Sequence, residues 1–333
     1  MPARGVRSSA ALAFSGRRYH GACRARGPGR RRAGVKPFPP PVGLAAPRPR
    51  TALAGIAWAL LAVSIWGGWF VVTRRAVGSG GSLAPADLVA IRFGCGGLIL
   101  LPVVLRLRRL SRREAADAAW LVLGQGAPFA LLISIGLRYA PAGHGAALTP
   151  GTMPLMAAAL GIALLGDRPG RVALLGLGLI LAGALTLAGA ATTGDELLGD
   201  AMFLTAALLW ALGTVRMRRS ALRPVEATAL ICVVSLVGYL PPYFALGLSR
   251  LREAGAAELA LQVAYQGVLV SVVGLIAFNR SLALIGRRTP AFTALVPAIA
   301  TLLAIPVLGE VPSLPAAAAV AAIGLGVLLT TRG

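Results

Sequence analysis

A few polar and aromatic residues interrupt long apolar stretches of this 333-residue chain. Arg92 is the clearest of them. It lies seven residues after Pro85, which places it about 10 Å inside its segment if that segment is helical. A guanidinium at this depth needs a cavity, a partner or an interface, and it can bind a carboxylate or phosphate in a bidentate manner. The spacing therefore predicts a substrate-binding role. The alternative is a structural arginine that snorkels or pairs with a carbonyl freed by a proline.

Two glutamines occupy matching positions in different halves of the chain. Gln125 follows Asp117 by eight residues, and Gln266 follows Glu258 by eight residues. In helices, both side chains would lie about 12 Å from the start of the segment. An amide offers donors and acceptors to a bound solute, so we predict that both glutamines bind substrate. Hydrogen bonding between helices, without any ligand, is the alternative.

Trp66 and Trp210 also form a matching pair, and both lie well inside apolar segments. They can line a solute path as aromatic walls, and we include them among the predicted substrate-binding residues. Plain packing between helices is the alternative. We expect His144, which lies between two glycines near a turn, to be a surface residue.

The elements that carry these residues are helices in a membrane. The chain is 57% hydrophobic and 13% charged, which leaves too little polar surface for a soluble domain of this size. The apolar runs do not alternate with polar residues, so they indicate helices and not barrel strands. The pattern predicts an all-α integral membrane protein with ten transmembrane helices at residues 52–73, 85–105, 117–137, 145–165, 172–190, 199–215, 225–248, 258–279, 289–308 and 313–330.

The chain contains an internal repeat. Landmark residues recur at nearly constant offsets: Gly55 and Trp66 at 144, Asp117 and Gln125 at 141, and Pro154 and Asp167 at 143. Each copy has five predicted spans, and an odd number makes the second copy enter from the opposite face. We therefore predict two inverted five-helix repeats at residues 52–190 and 199–331, an architecture typical of secondary transporters.

Basic residues predict the orientation and the character of the N-terminus. Residues 1–50 hold twelve Lys or Arg and no Asp or Glu, and we expect a disordered basic tail. We expect no nucleic-acid partner for it. Fifteen arginines fall in the loops of the tail side and in the C-terminus, against five on the other side, which predicts a multi-pass protein of the cell (inner) membrane with both termini cytoplasmic.

Three motifs resemble the EamA-type transporters of the drug/metabolite transporter superfamily. The first runs from Ala147-Leu-Thr-Pro-Gly-Thr-Met-Pro154 to Leu165-Gly-Asp-Arg-Pro169, and its copy runs from Leu295-Val-Pro297 to Leu308-Gly-Glu-Val-Pro312. The third is Pro85-Ala-Asp-Leu-Val-Ala-Ile-Arg92-Phe. The resemblance covers residues 52–331 and implies export or exchange of small metabolites, amino acids or drugs. Asp167 replaces the family's usual Glu, and the second repeat has Ile231 near the position that matches Arg92.

The positions of the acidic residues and the lack of clustered ligating residues argue against several classes of function. All eleven carboxylates fall at predicted helix ends or in loops, so we expect no intramembrane proton carrier. No cluster of His, Cys, Asp or Glu indicates a metal site, a cofactor or an enzyme. We predict a secondary transporter that exports or exchanges small solutes by alternating access. The alternatives are an uptake permease of the same fold or an integral-membrane enzyme acting on lipid-linked substrates. A homodimer is compatible with the small residues of the fifth and tenth segments.

Overall fold

A computed structural model of the chain describes residues 49–107, 109–190, 193–217 and 222–330. Residues 1–48 of the predicted basic tail lie outside the described residues. The regular structure within these ranges is helical throughout. This agrees with the predicted all-α class.

Thirteen α-helices are described, together with one π-helix and one 3₁₀ segment. The α-helices are α1 Pro49–Val77, α2 Pro85–Leu105, α3 Arg112–Gln125, α4 Ala127–Tyr139, α5 Ala142–Leu148, α6 Met153–Leu165, α7 Arg171–Ala190, α8 Gly194–Met217, α9 Pro224–Ala245, α10 Ala256–Gln262, α11 Gly274–Ile285, α12 Val296–Leu308 and α13 Leu314–Thr330. The π-helix is Val263–Val273, between α10 and α11, and the 3₁₀ segment is Gly286–Leu295, before α12.

Eight stretches of the described chain are long and apolar enough to cross a membrane. They are Thr51–Val77, Pro85–Leu105, Arg112–Tyr139, Ala142–Leu164, Arg171–Gly189, Gly194–Gly213, Val225–Ala245 and Ala256–Phe278. The apolar helices Phe292–Leu308 and Leu314–Thr330 are shorter. The structure thus gives a multi-pass membrane protein with eight membrane-capable helices, where the sequence predicts ten spans.

A C-terminal glycine cap of the same kind ends α6 and α12, which occupy equivalent positions in the two repeats. Gly166 and Gly309 adopt left-handed backbone conformations, with φ of 72° and 71°. Only glycine enters this region without a steric cost. The amide of Asp167 donates to the carbonyl of Gly161, and the amide of Glu310 donates to that of Ala304. Two turns of one geometry are a structural counterpart of the sequence repeat.

Packing between the halves is reciprocal. The first helix of the first half, α1, packs against α11 and α12 of the second half, and the first helix of the second half, α8, packs against α3, α4 and α6 of the first half. The second helices, α2 and α9, pack against each other, as do the last helices, α7 and α13. The bundle is therefore held together mainly by contacts between the two repeats.

Glycines bring α7 and α13 into close contact within one chain. A Cβ added to Gly176 would lie 2.6 Å from the carbonyl oxygen of Gly326, and one added to Gly183 would lie 2.8 Å from that of Ala319. Close approach through small residues is a common way for membrane helices to associate. These glycines therefore have a packing role inside the chain, whatever its oligomeric state.

We call the end of the bundle that carries the loop 78–84 the first-loop end. There the loop 78–84, the end of α4, the start of α8 and residues 247–253 surround one cavity. The predicted start of the sixth span differs from the structure at this end. It was expected at residue 199, but α8 begins at Gly194 with Asp195 and Glu196 in its first turn, where carboxylates stabilise a helix.

Candidate functional site

The third span of the first repeat is broken at a predicted site residue. Gln125 is the last residue of α3, and α4 starts at Ala127, with Pro128 in its first turn. Gly126 between them has φ −91° and ψ −147°, which is not helical. The amide of Ala127, left without a helical partner by the break, donates to Oγ of Ser235 on α9 at 3.1 Å. Interrupted helices at mid-membrane depth are a common feature of transporter binding sites.

The third span of the second repeat is distorted around the other predicted glutamine. Gln266 lies inside the π-helix Val263–Val273. The Oγ of Ser271 donates to the backbone carbonyl of Gln266 at 2.8 Å, within the π-helix. π-Helices are rare and occur often at functional sites. Both repeats thus depart from regular α-helix at the position of their glutamine.

The Gln266 amide is fully hydrogen-bonded inside the protein. Its Oε1 accepts from Nε1 of Trp69 at 2.8 Å, and its Nε2 donates to Oγ1 of Thr73 at 3.0 Å and to Oε1 of Gln262 at 3.3 Å. The side chain is 1% exposed. In this conformation Gln266 joins the π-helix to α1, which is the interhelical role that the sequence left open as an alternative.

Gln125 has a different environment from Gln266. It is half-buried and makes no hydrogen bond with any residue that the structure describes. A Cβ placed on Gly213 of α8 would lie 3.5 Å from its Nε2. Gly213 is the residue that matches Trp69 at the repeat offset of 144. The matching residue therefore supplies no side-chain donor, and no described residue takes the place of Trp69 beside Gln125.

Arg92 lies against the Trp69 ring. Its Cζ is 4.7 Å from the centroid of that ring and 5.7 Å from the Phe93 ring. A cation over an aromatic face gains electrostatic stabilisation, but this does not satisfy the N–H donors. Nη1 of Arg92 is buried and has no hydrogen-bond partner among the described residues. A buried, unpaired guanidinium donor is costly in a protein interior, and a bound anion would remove the cost.

Trp69 therefore connects two of the predicted residues, although the sequence did not single it out. Residues that recur in both halves stand out in the sequence, whereas Trp69 has only a glycine as its counterpart. Its position three residues after Trp66, about one turn further along the same helix, is the feature of the sequence that could have indicated its role. A tryptophan in that position can pair through its N–H with a buried acceptor.

The two predicted tryptophans lie at different distances from this cluster. Trp210 is 5.0 Å from Phe129 between ring centroids, and Phe129 is 6.5 Å from Trp69. Trp210 is thus connected to Trp69 through the Phe129 ring, which lies four residues after Gln125 across the break at Gly126. Trp66 instead contacts Phe278 of α11 at 5.2 Å. We call Arg92, Gln125, Gln266 and Trp69 the central cluster.

A cavity of about 1050 Å³ opens at the first-loop end. It is lined by glycines and serines of the loop 78–84, by charged residues including Arg138, Asp195 and Glu253, and by Leu131 of α4. Leu131 lies one turn beyond Ala127, at about 6 Å along the helix. The cavity therefore approaches the break in the third span from one side of the bundle.

Two polar groups have more partners than the sequence indicated. Asp87 was expected only at a helix start, and it does accept from the Ala84 amide at 2.8 Å. It is also completely buried and accepts from the Tyr243 hydroxyl at 2.5 Å. Glu310 accepts from Nε of Arg74 at 2.7 Å and from the Ala142 amide at 2.9 Å. Both carboxylates fasten helices together at the first-loop end.

His144 is buried, and the expectation of a surface histidine was wrong. Its Nδ1 lies 3.0 Å from Oδ1 of Asp200, and the two side chains are 10% and 1% exposed. The sequence also placed every carboxylate at a helix end or in a loop. Because α8 begins earlier than predicted, Asp200 is its seventh residue and lies inside the bundle. The pair could not be recognised from the sequence because the two residues are 56 positions apart.

Comparison with known proteins gives a family and a fold. The EamA-like transporter family matches residues 53–189 and again residues 197–332. No curated protein matches the chain. One solved crystal structure is 20% identical with a TM-score of 0.57, and the match covers 85% of this chain and 96% of the other. At this identity the likeness concerns the fold alone.

Proposed function

The chain belongs to the EamA-like transporter family, and from this premise we propose that it moves small organic solutes with an anionic group across the cell membrane. The solutes are metabolites such as amino acids or related compounds and drugs. Transport is by alternating access, in the direction of export or as exchange. Arg92 and Gln125 of the central cluster contact the solute between the two repeats, and Gln266 fastens the helices around it.

The unpaired donor of Arg92 is the observation that carries the proposal. A buried guanidinium with no acceptor for Nη1 has a strong preference for a carboxylate or phosphate. Trp69 contacts one face of the guanidinium, and this contact does not engage the N–H donors that lie in the guanidinium plane. A neutral solute would leave the donor unpaired, and this disfavours neutral substrates. The alternative of a structural arginine predicts a protein partner for each buried donor.

Gln125 supplies a second contact. Its amide has no partner among the described residues, and it lies four residues before Phe129, across the break at Gly126; the Phe129 ring packs against Trp69. A solute bound to Arg92 can therefore extend toward Gln125 along an aromatic wall formed by Phe129 and Trp210. An organic body with an anionic head fits this combination of groups.

The proposal includes ten spans in two inverted repeats. The eight membrane-capable helices are joined by α12 and α13, which are shorter but apolar and packed within the bundle. Each repeat then has five spans. The arginine bias supports cytoplasmic termini, with the first-loop end facing outward. The reciprocal packing of α1 and α8 supports two halves that rock against each other around a central solute.

Metabolite profiling followed by flux in vesicles tests the function. Solutes are compared in the medium and cytoplasm of cells with and without the protein, and those that change are tested with the purified protein in liposomes. We expect one or more solutes with a carboxylate or phosphate to be transported. Transport restricted to neutral or cationic solutes, or no transport of any solute that changed in cells, would contradict the proposal.

A further inference from the structure

A histidine and an aspartate meet inside the bundle, away from the central cluster. Nδ1 of His144 lies 3.0 Å from Oδ1 and 3.2 Å from Oδ2 of Asp200. His144 belongs to α5 and Asp200 to α8, and both helices fall within membrane-capable stretches. Ionisable groups in such positions are uncommon and usually functional. Histidine changes its charge near neutral pH, whereas most other side chains do not.

The other charged groups on the elements packed against this pair lie near the ends of their helices. Elements packed against α5 or α8 carry charged groups at the first-loop end, namely Arg74 and Arg75 of α1, Arg138 and the phenol Tyr139 of α4, Glu310 before α13, and Asp195 and Glu196 of α8. Arg74 is paired with Glu310. Arg112, Arg113, Glu114 and Asp117 of α3 and Arg171 of α7 belong to the first turns at the opposite end. The described parts of α6, α12 and α13 carry no charged residue.

Two buried hydroxyl groups, one at the end of α5 and one on α12, have no partner among the described residues. The Oγ1 atoms of Thr149 and Thr301 are buried and have no hydrogen-bond partner among the described residues. A Cβ on Gly143, the residue before His144, would lie 2.8 Å from Oγ1 of Thr301. Buried polar groups of this kind are satisfied by water. Thr301 thus places a hydroxyl against α5 at the residue before His144.

We propose that His144 and Asp200 form a proton-binding site coupled to solute movement. The inference rests on the proposed transport function for its coupling, but not for the proton site itself. With the proton bound, imidazolium and carboxylate form a neutral pair that tolerates burial. When the proton leaves, a single negative charge stays on Asp200, and burial of an unpaired charge is unfavourable. Loss of the proton therefore favours a conformation in which water reaches the pair.

α8 connects the proton site to the central cluster. It carries Asp200 and, ten residues later, Trp210, which packs on Phe129 beside Gln125. The separation along the helix is about 15 Å. A displacement of α8 relative to α5 would therefore move the aromatic wall of the solute site. One proton bound or released per transport cycle is the stoichiometry that a single pair can provide.

Proton binding can be measured without a known solute. The chain has two histidines, so the full-length protein with His20→Gln contains His144 alone. With ¹⁵N-labelled imidazole, the reconstituted protein is followed by solid-state NMR between pH 5 and 9. We expect His144 to change between its neutral and protonated forms within this range. Asp200→Asn should change the dependence of this signal on pH, since the carboxylate beside Nδ1 is lost. The matched control Asp195→Asn, an exposed carboxylate of the same helix, should leave the transition unchanged.

Coupling is measured in liposomes with the twenty protein amino acids as radiolabelled probes. For any probe that the unmodified protein moves, His144→Asn and Asp200→Asn should abolish accumulation driven by a pH gradient. Both variants keep a hydrogen bond across the pair, and both should keep exchange of labelled for unlabelled probe. A single protonation form of His144 from pH 5 to 9, or a transition unaffected by Asp200→Asn, overturns the proton site. Transport by the unmodified protein that is the same with and without a pH gradient overturns the coupling but leaves the proposed function intact. Failure to move any probe counts against the proposed function, while the NMR titration still decides the proton site.

Discussion

Nε1 of Trp69 donates to Oε1 of Gln266 at 2.8 Å, and no described residue makes the equivalent bond to Gln125. The residue matching Trp69 is Gly213, which lies beside the amide of Gln125. An approximate two-fold relationship thus produces two glutamines with different roles. One fastens α1 to the π-helix, and the other has no hydrogen-bond partner among the described residues.

Replacing Gln125 with leucine is expected to weaken transport without destabilising the protein. The change removes an amide that makes no hydrogen bond to described residues but keeps a similar volume. Loss of one hydrogen bond to the solute corresponds to about 0.5–1.5 kcal/mol, or about a 2- to 13-fold weaker apparent affinity. Flux in liposomes gives the affinity, and the midpoint of thermal unfolding in detergent should not change. An unchanged affinity would show that Gln125 does not contact the solute.

Gln266→Leu, in contrast, should destabilise the folded protein. It leaves the Trp69 N–H and the Thr73 hydroxyl without their buried partner, which costs about 1–3 kcal/mol. We expect a lower midpoint of thermal unfolding. Trp69→Phe is the matched control, because it removes the donor from the other side of the same bond and should lower the midpoint similarly. A Gln266→Leu variant as stable as the original protein would mean that these hydrogen bonds contribute little.

The sequence predicted the positions of these glutamines but not their difference. Depth in a helix and the repeat offset follow from spacing along the chain, so the positions of Arg92, Gln125 and Gln266 could be predicted. Hydrogen-bond partners depend on which helices pack together, and Trp69 and Thr73 lie 197 and 193 positions from Gln266. The same reason hid the contact of His144 with Asp200. The start of α8 was missed because polar first-turn residues do not extend an apolar run.

Membrane topology can be tested with reporter fusions. The proposed ten spans place residue Thr193 outside and the C-terminus in the cytoplasm. Alkaline phosphatase fused after Thr193 should be active, and the same enzyme fused to the C-terminus should be inactive, because it folds only outside the cytoplasm. Equal activity at the two positions would contradict the arrangement of five spans on each side of Thr193.

The basic tail is expected to be dispensable for insertion. The helices described begin at Pro49, and the arginines between α2 and α3 remain to set the orientation. A chain that starts at Pro47 should reach the membrane and transport at the normal rate. The amount of protein in the membrane fraction and the flux per molecule are the two measurements. A chain that fails to insert would show that residues before Pro47 carry information for targeting or orientation.

The most direct test of the account compares Arg92 with Arg92→Lys on two forms of one solute. Once a transported carboxylate is identified, its uptake into liposomes is measured beside that of its carboxamide. Lysine keeps the charge but loses the bidentate geometry and the planar contact with Trp69. We expect Arg92→Lys to reduce the affinity for the carboxylate about tenfold, equivalent to about 1.4 kcal/mol, and to leave the carboxamide nearly unaffected. Equal effects on both forms, or no effect on either, would contradict the assignment of Arg92 to the anionic group of the solute.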